Sequence, residues 1–425
     1  MLENMLIEVE CSPKLQGEVE LSGAKNAVLV IMASLLLAKG KSKLNRVPAS
    51  ADVFQMIQLC EELGAEVVFD PVKCELTMDT NGVNNFSITS DIMGKMRASV
   101  LVMGPLLARF GKADVALPGG CLIGTRPIDY HLKNFEKMGV VFDDSKGVVK
   151  GFCKKLLPTK LILDYPSVGA TENLMMAATL TEGVTRIVNA ALEPEVLDLI
   201  EVLRKMGAKI NILPPATIEI TGVASLQPVE HSVLLDRLEA GSLLVAAAIT
   251  GGEIFIPEAP ADYMEIFLMK LEEMGHKIEI GKDGKGIKLT ACKNPRGVSF
   301  KTAPYPGFPT DLQAPLMAAL CLAKGSTSVV HETVFENRLL HVRELQKMGA
   351  QIKLEGDKAY ITGVDQLYGA NVIATDIRAS AALVIAGLAA QGKTQMSGVH
   401  HWKRGYDGLE EKLQSLGAKV VLKEL

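Results

Sequence analysis

The sequence predicts an α/β fold made of six copies of one module, and two recurring signals predict it. The first is a leucine or methionine followed by glycine at the end of an amphipathic run. It occurs as "EELGAEV", "EKMGVVF", "RKMGAKI", "EEMGHKI", "QKMGAQI" and "QSLGAKV", with Gly64, Gly139, Gly207, Gly275, Gly349 and Gly417. The interval is about 70 residues, too long for a solenoid repeat and suited to a βαβ-type unit. The second signal runs in step: a helix rich in small residues, then a glycine, then a strand, at Gly40, Gly111, Gly183, Gly252, Gly325 and Gly392. Each module therefore holds two helices and several strands. Six modules in 425 residues make two domains of three, with "LQPVEHSVLLDR" (226–237) as the crossing between them.

The individual elements follow from periodicity. In 128–138 the apolar residues Ile128, Leu132, Phe135 and Met138 step by four, three and three, which lays one stripe along a helix. Pro127 suits its first position and Gly139 its left-handed stop. After the glycines, Val67–Val68, Val140–Phe142, Ile278–Ile280 and Val420–Leu422 read as strands.

Composition narrows the function. A net charge of −4 over 425 residues argues against a nucleic-acid surface, so anion chemistry must come from local clusters. No uncharged apolar run reaches about 18 residues, and the N-terminus lacks a basic-then-apolar leader, so neither a membrane span nor a signal peptide is expected. The seven cysteines show no CxxC spacing, which points to a reducing compartment without disulfides or a structural metal. Two motifs mislead. "GLAAQGKT" (387–394) matches a phosphate-loop pattern, but a helix precedes Gly392 where a strand is required. "SGAK" (22–25) resembles a penicillin-binding SxxK motif without its KTG partner.

Charge concentrates in Gly- and Pro-rich connections. Lys25 and Asn26 follow Ser22–Gly23, Arg97 lies in "GKMRAS", and Arg126 lies in "GGCLIGTRP" beside Cys121. Later come Asp311 in "YPGFPTDLQA", Arg338 in "FENR", Asp376 and Arg378 in "TDIRAS", and Arg404 in "KRGYD". Several directly precede a helix, and helix N-termini and guanidinium forks both favour phosphate and carboxylate. Such a set suits a multiply charged small anion. Asp311 also reads as a helix cap, and Asp376 as a partner for Arg378. Cys121, flanked by glycines and close to a cation, has the setting of an accessible, reactive thiol.

With these segments in view, the chain resembles the UDP-N-acetylglucosamine enolpyruvyl transferases along nearly its whole length. The match runs through "SGAKNA", "MRAS", "GPLLARFG", "LPGGCLIGTRPID", "SVGATEN", "EPEVLDL", "DRLEAG", "FPTDLQAPLMA", "ETVFENRLLHV", "DIRASAAL" and "RGY". The resemblance implies two inside-out α/β domains, each of three βαβαββ-type modules, with the active site in the cleft between them. It also implies that the N-terminal strand belongs with the C-terminal half: residues 1–23 with 235–425 as one domain, and 24–234 as a central domain carrying the Cys121 lid loop. Residue by residue, it assigns Lys25, Asn26, Arg126 and Arg404 to phosphoenolpyruvate. Arg97, Arg126, Pro127, Ile128, Asp129, Tyr130, Tyr165, Pro166, Ser167, Val168, Asp311 and Val334 go to the UDP-sugar. Arg338, Asp376 and Arg378 support them. Val30 stands where the family commonly has proline, and "VPASADV" lacks a lysine that some members carry.

The implied chemistry transfers the enolpyruvyl group to the sugar 3′-hydroxyl with release of phosphate, the step committing UDP-sugar to peptidoglycan. Cys121 fits the acid that protonates the methylene carbon, and it can also add to C2 as a phospholactoyl adduct. Asp311 fits the base. No cofactor or metal is expected, and the partners are the two small substrates, without nucleic acid or membrane, for a cytoplasmic monomer. Two rivals stand beside this reading. 5-Enolpyruvylshikimate-3-phosphate synthase shares fold and donor but lacks the cysteine-bearing loop. A non-catalytic sugar-nucleotide binder would lack turnover.

Overall fold

The computed structural model describes residues 4–88, 97–116, 128–145 and 148–424. They divide into two compact units. The terminal unit takes the described residues up to Ser22 and those from Leu235 onward; the central unit takes those from Gly23 to Leu234. Each has its own apolar core.

The six small-residue helices are the interior of these cores. In the central unit they are Lys25–Leu35, Met103–Phe110 and Val168–Ala178; in the terminal unit, Arg237–Thr250, Gln313–Leu320 and Ile377–Ala389. Every residue of Gln313–Leu320 is buried, and in Lys25–Leu35 only Asn26 reaches the surface. A helix apolar all round needs protein on every side, and alanine, glycine and serine let its neighbours approach closely. The sheets lie outside these helices, each with one face on the core. Val184–Val188 alternates exposed and buried along its length. This is the inside-out α/β architecture expected from the sequence.

One strand pattern recurs in five modules: a short parallel edge, a first strand, then two more paired antiparallel; in the second module the described residues show the last three strands, with a single parallel bridge from Ser87 to Asp114 at the edge. In the third module the order across the sheet is Lys160–Ile162, Val184–Val188, Thr217–Thr221, Lys209–Leu213. The fifth module repeats it with Phe300–Lys301, Ser328–His331, Lys358–Thr362 and Gln351–Glu355. Both units close on themselves. The edge of the first module comes from Glu230–Ser232, at the far end of the central unit. The edge of the fourth comes from Gln16–Glu18. In the sixth module Met5–Glu10 fills the place between Lys393–Ser397 and Lys419–Glu424, antiparallel to both.

The glycines that end the amphipathic helices, Gly64, Gly139, Gly207, Gly275, Gly349 and Gly417, have φ of 99°, 88°, 104°, 103°, 91° and 98°. That shared left-handed stop is the physical content of the first sequence signal. The second signal holds in the fourth module, where Gly252 stands between Arg237–Thr250 and Glu253–Pro260, and the left-handed residue there is its neighbour Gly251, φ 69°. Gly252 is small for another reason: a Cβ there would stand 2.1 Å from the Leu15 carbonyl oxygen. The phosphate-loop match fails as the sequence suggested, since Ile377–Ala389 is helix, Gly392 turns at φ 92°, and Lys393 opens a strand.

Candidate active site

In the terminal unit, residues far apart in sequence converge on Asp311. It sits in the one-turn 3-10 segment Thr310–Leu312 that leads into the buried helix Gln313–Leu320. Arg338 donates from Nη2 to Oδ1 at 2.8 Å, and Arg378 donates from Nη2 to Oδ2 at 2.8 Å. Both arginines are buried, at 4 % and 3 % exposure, while the aspartate is half-buried. Burial alone would raise the Asp311 carboxyl. The Arg378 and Arg338 guanidiniums outweigh it and hold the group well below the ordinary carboxylate range. Two of the three expected cations of this unit, Arg338 and Arg378, are therefore already matched to one carboxylate. Asp311 is not the side-chain cap of the helix it precedes.

Asp376 takes the capping role instead. Its Oδ1 accepts from the backbone N–H groups of Arg378 and Ala379 at 2.8 and 3.1 Å, at the start of Ile377–Ala389. The expected pairing of Asp376 with the Arg378 guanidinium is replaced by this backbone bond, which frees that guanidinium for Asp311. Tyr406 packs its ring 5.3 Å from the Arg378 guanidinium carbon and places its hydroxyl 3.3 Å from Ser242 Oγ. Arg404 lies in the last turn of Val399–Gly405. Gly405 lets that helix sit on Ile377, whose Cγ2 would be 2.2 Å from an added Cβ.

Val334 follows the strand Ser328–His331, and its backbone N–H donates to Glu332 Oε1 at 2.8 Å. Glu332 is a residue the sequence reading passed over. At 2 % exposure it also accepts from Phe335 N at 3.1 Å, Thr302 Oγ1 at 3.0 Å and Thr310 Oγ1 at 2.8 Å. Its one local signal was a lone acid directly after a strand.

In the central unit, Lys25 opens the helix Lys25–Leu35, and Ala24 before it offers no capping side chain. The lysine is 9 % exposed, with Nζ 3.2 Å from Oδ2 of the buried Asp52. A cation in a helix's first turn opposes the helix dipole and deepens the positive potential there. Asn26, beside it, is exposed. Two other expected segments meet at His131. Ile128 precedes the helix Asp129–Lys137, which carries Asp129 and Tyr130. Tyr165, Pro166, Ser167 and Val168 lead into Val168–Ala178, with Ser167 Oγ accepting from Ala170 N at 3.4 Å. His131, buried, brings Nδ1 within 3.1 Å of Asn173 Nδ2, and Gly169 faces the same ring. Arg97 begins the 3-10 segment Arg97–Val102. Cys121, Arg126 and Pro127 lie outside the described residues, as does the side chain of Arg97. Among the described residues no cluster of histidine, cysteine and acidic side chains could hold a metal ion, and no helix is long and apolar enough to cross a membrane.

Buried helices wrapped by three-stranded antiparallel sheets with parallel edges define an enolpyruvyl-transferase-type fold. Solved structures agree. The enolpyruvyl transferase NikO from Streptomyces tendae matches with a TM-score of 0.90 over 100 % of both chains, at 24 % identity. An EPSP synthase from Acinetobacter baumannii matches with a TM-score of 0.77 over 99 % of this chain and 100 % of its own, at 17 % identity. The profile of the EPSP synthase (3-phosphoshikimate 1-carboxyvinyltransferase) family matches residues 9–413, and the chain belongs to that family. Within it, the chain is 49 % identical over 415 residues to UDP-N-acetylglucosamine 1-carboxyvinyltransferase 1 of Caldanaerobacter subterraneus subsp. tengcongensis, covering 98 % of this chain and 99 % of the relative. It is 48 % identical over 408 residues to UDP-N-acetylglucosamine 1-carboxyvinyltransferase of Geotalea uraniireducens, covering 96 % and 97 %.

Proposed function

We propose that this protein transfers the enolpyruvyl group of phosphoenolpyruvate to the 3′-hydroxyl of UDP-N-acetylglucosamine and releases phosphate, in the first committed step of peptidoglycan synthesis. The observation that carries the proposal is 49 % identity over almost the full length to a relative of that name, against 17 % to the solved EPSP synthase. The protein is read as a cytoplasmic monomer that uses no metal or cofactor.

In the addition step Cys121 gives its proton to C3 of phosphoenolpyruvate while the sugar oxygen bonds to C2. The hydroxyl proton passes to Asp311. In the elimination step the Cys121 thiolate takes a proton back from C3, the bond from C2 to the phosphate oxygen breaks, and phosphate leaves. The clamp on Asp311 constrains how it acts. A carboxylate lowered by two guanidiniums is a weaker base than a free one. It needs only to accept the proton late, when the oxygen has bonded to an electron-poor C2 and become strongly acidic. Arg338 and Arg378 keep it ionised and fixed in direction. Lys25, Arg126 and Arg404, with Asn26, hold the donor's phosphate and carboxylate. Arg97, the 126–130 segment, the 165–168 segment, Asp311 and Val334 hold the sugar nucleotide. The thiol is the expected point of attack for an epoxide phosphonate such as fosfomycin, whose ring opens at the sulfur.

Phosphate release measured with phosphoenolpyruvate and either UDP-N-acetylglucosamine or shikimate 3-phosphate tests the activity. Turnover with the first acceptor alone is expected, and turnover with the second alone overturns the assignment. Replacing Cys121 by Ser is expected to lower turnover by roughly 10³-fold, because an unactivated hydroxyl is too weak an acid to protonate carbon. Cys121→Asp should retain much of it, and a fully active Cys121→Ser enzyme removes the thiol from the mechanism.

A further inference from the structure

We infer that Glu332 is a positioning residue that sets the catalytic carboxylate and the sugar-nucleotide loop in one register. The inference rests on the roles proposed above for Asp311 and Val334. Glu332 stands immediately after the strand Ser328–His331 and is 2 % exposed. A buried carboxylate usually answers a cation, yet among the described residues no lysine or arginine is paired with it. Four hydrogen-bond donors satisfy it instead, and they come from three separate stretches of chain.

Oε2 accepts from Thr310 Oγ1 at 2.8 Å, and Thr310 is the residue before Asp311. Oε1 accepts from the N–H groups of Val334 and Phe335 at 2.8 and 3.1 Å. Oε1 also accepts from Thr302 Oγ1 at 3.0 Å. Thr302 is itself stitched to the next residue of the loop: Thr333 N donates to its hydroxyl at 2.9 Å, and Thr333 Oγ1 donates to its carbonyl at 2.6 Å. The two oxygens thus divide the work. One faces the turn that carries Asp311. The other faces the loop that carries Val334 and continues to Arg338, which itself grips Asp311. A surface loop anchor needs no such split between a catalytic turn and a binding loop, and a plain structural acid needs no arm to Thr310.

The division makes the inference testable with single changes. Thr310→Val removes only the arm to the Asp311 turn. It is expected to lower kcat roughly tenfold, since small misplacements of a catalytic group are costly. KM for UDP-N-acetylglucosamine should stay within about twofold of wild type. Glu332→Ala removes both arms and should lower kcat by roughly 10²-fold while raising that KM several-fold. Glu332→Gln should recover most of the loss, to within about threefold of wild type. Its amide oxygen can keep the loop contacts while its amide nitrogen donates to a reversed Thr310 hydroxyl.

Steady-state kinetics of the three variants, with Asp311→Asn in parallel and circular dichroism to confirm folding, decides the matter. If Asp311→Asn loses turnover but folded Thr310→Val keeps wild-type kcat, Glu332 is a structural anchor and the inference fails alone. If Asp311→Asn is itself active, the proposed role of Asp311 fails instead. If Glu332→Ala does not fold, Thr310→Val and Glu332→Gln still carry the test: an unchanged kcat in the first, or a collapse in folded second, overturns the inference.

Discussion

The two units begin their buried helices in opposite ways. In the terminal unit every such helix starts with an acid. Asp236 caps Arg237–Thr250 through the N–H groups of Leu238 and Glu239, Asp376 caps Ile377–Ala389, and Asp311 leads into Gln313–Leu320. In the central unit no acid occupies the first turn of Lys25–Leu35, Met103–Phe110 or Val168–Ala178, and Ser167 is the one capping side chain. Lys25 adds a positive charge at a helix start, as Arg237 and Arg378 do in the terminal unit, and its counter-charge is Asp52 at 3.2 Å. The same module is thus used twice. In one unit its helix starts are neutralised from within, which fixes a carboxylate between two arginines. In the other no acid caps them: Lys25 meets Asp52 at 3.2 Å, and Gly104 N donates to Asn173 Oδ1 at 2.6 Å.

The largest effect should follow from breaking the neutralised side. Asp311→Asn preserves shape and removes the negative charge, so turnover should fall by roughly 10²-fold or more with substrate binding much less affected. Because Arg338 and Arg378 are then buried without their anion, the variant should also melt at lower temperature. Kinetics and a thermal scan on one sample check both; survival of kcat with loss of affinity would recast Asp311 as a ligand contact. In the central unit, Lys25→Arg keeps the charge and the attraction to Asp52 but replaces a compact ammonium with a broad fork. kcat/KM for phosphoenolpyruvate is expected to drop roughly tenfold, while KM for the sugar nucleotide, measured in the same titrations, holds.

Acid should weaken the terminal unit through His276. Burial lowers its pKa to about 4. The unfolded chain, at about 6.5, takes up the proton first, so stability present above pH 6.5 is lost as pH falls toward 4. At pH 5 the loss is about 2 kcal/mol. Urea unfolding of wild type and His276→Gln at pH 7 and pH 5 measures it, and an equal pH slope in both would exclude the histidine. The smallest contrast is between caps. Asp376→Ala should cost about 1 kcal/mol and Ser167→Ala less, because the aspartate holds two backbone donors and the serine only one, at 3.4 Å.

The modular fold was legible because its signals are local. A left-handed glycine and a helix without a polar face each write themselves into a dozen neighbouring residues. The circular closure of each unit was not readable from the repeats. A three-residue edge such as Glu230–Ser232 pairs with Lys43–Asn45, and nothing in its own composition names that partner. The clamp on Asp311 was legible as a set of charges but not as a geometry. Arg338 and Arg378 lie 27 and 67 residues from Asp311, so the clamp has no sequence spacing. Where spacing did suggest a pair, at Asp376 and Arg378, the backbone donors of a helix start competed more effectively for the carboxylate. Glu332 escaped notice because its four partners are hydroxyls and amides rather than charges.

The closing strand of the sixth module has a consequence for synthesis on the ribosome. Met5–Glu10 is synthesised hundreds of residues ahead of its neighbours Lys393–Ser397 and Lys419–Glu424. At about 5–20 residues per second, the strand waits on the order of tens of seconds before its sheet exists. The central unit, whose described residues lie between Gly23 and Leu234, can fold in that interval. Ile7 and Val9, both fully buried in the finished protein, are meanwhile bare. Glu8 and Glu10 alternate with them and give the waiting strand a charged face that discourages pairing with other nascent chains. When the C-terminus arrives, Lys393 and Lys423 meet Glu8 from either side, at 2.9 and 2.6 Å. The charges that guarded the strand then mark the place where these two distant stretches of chain join.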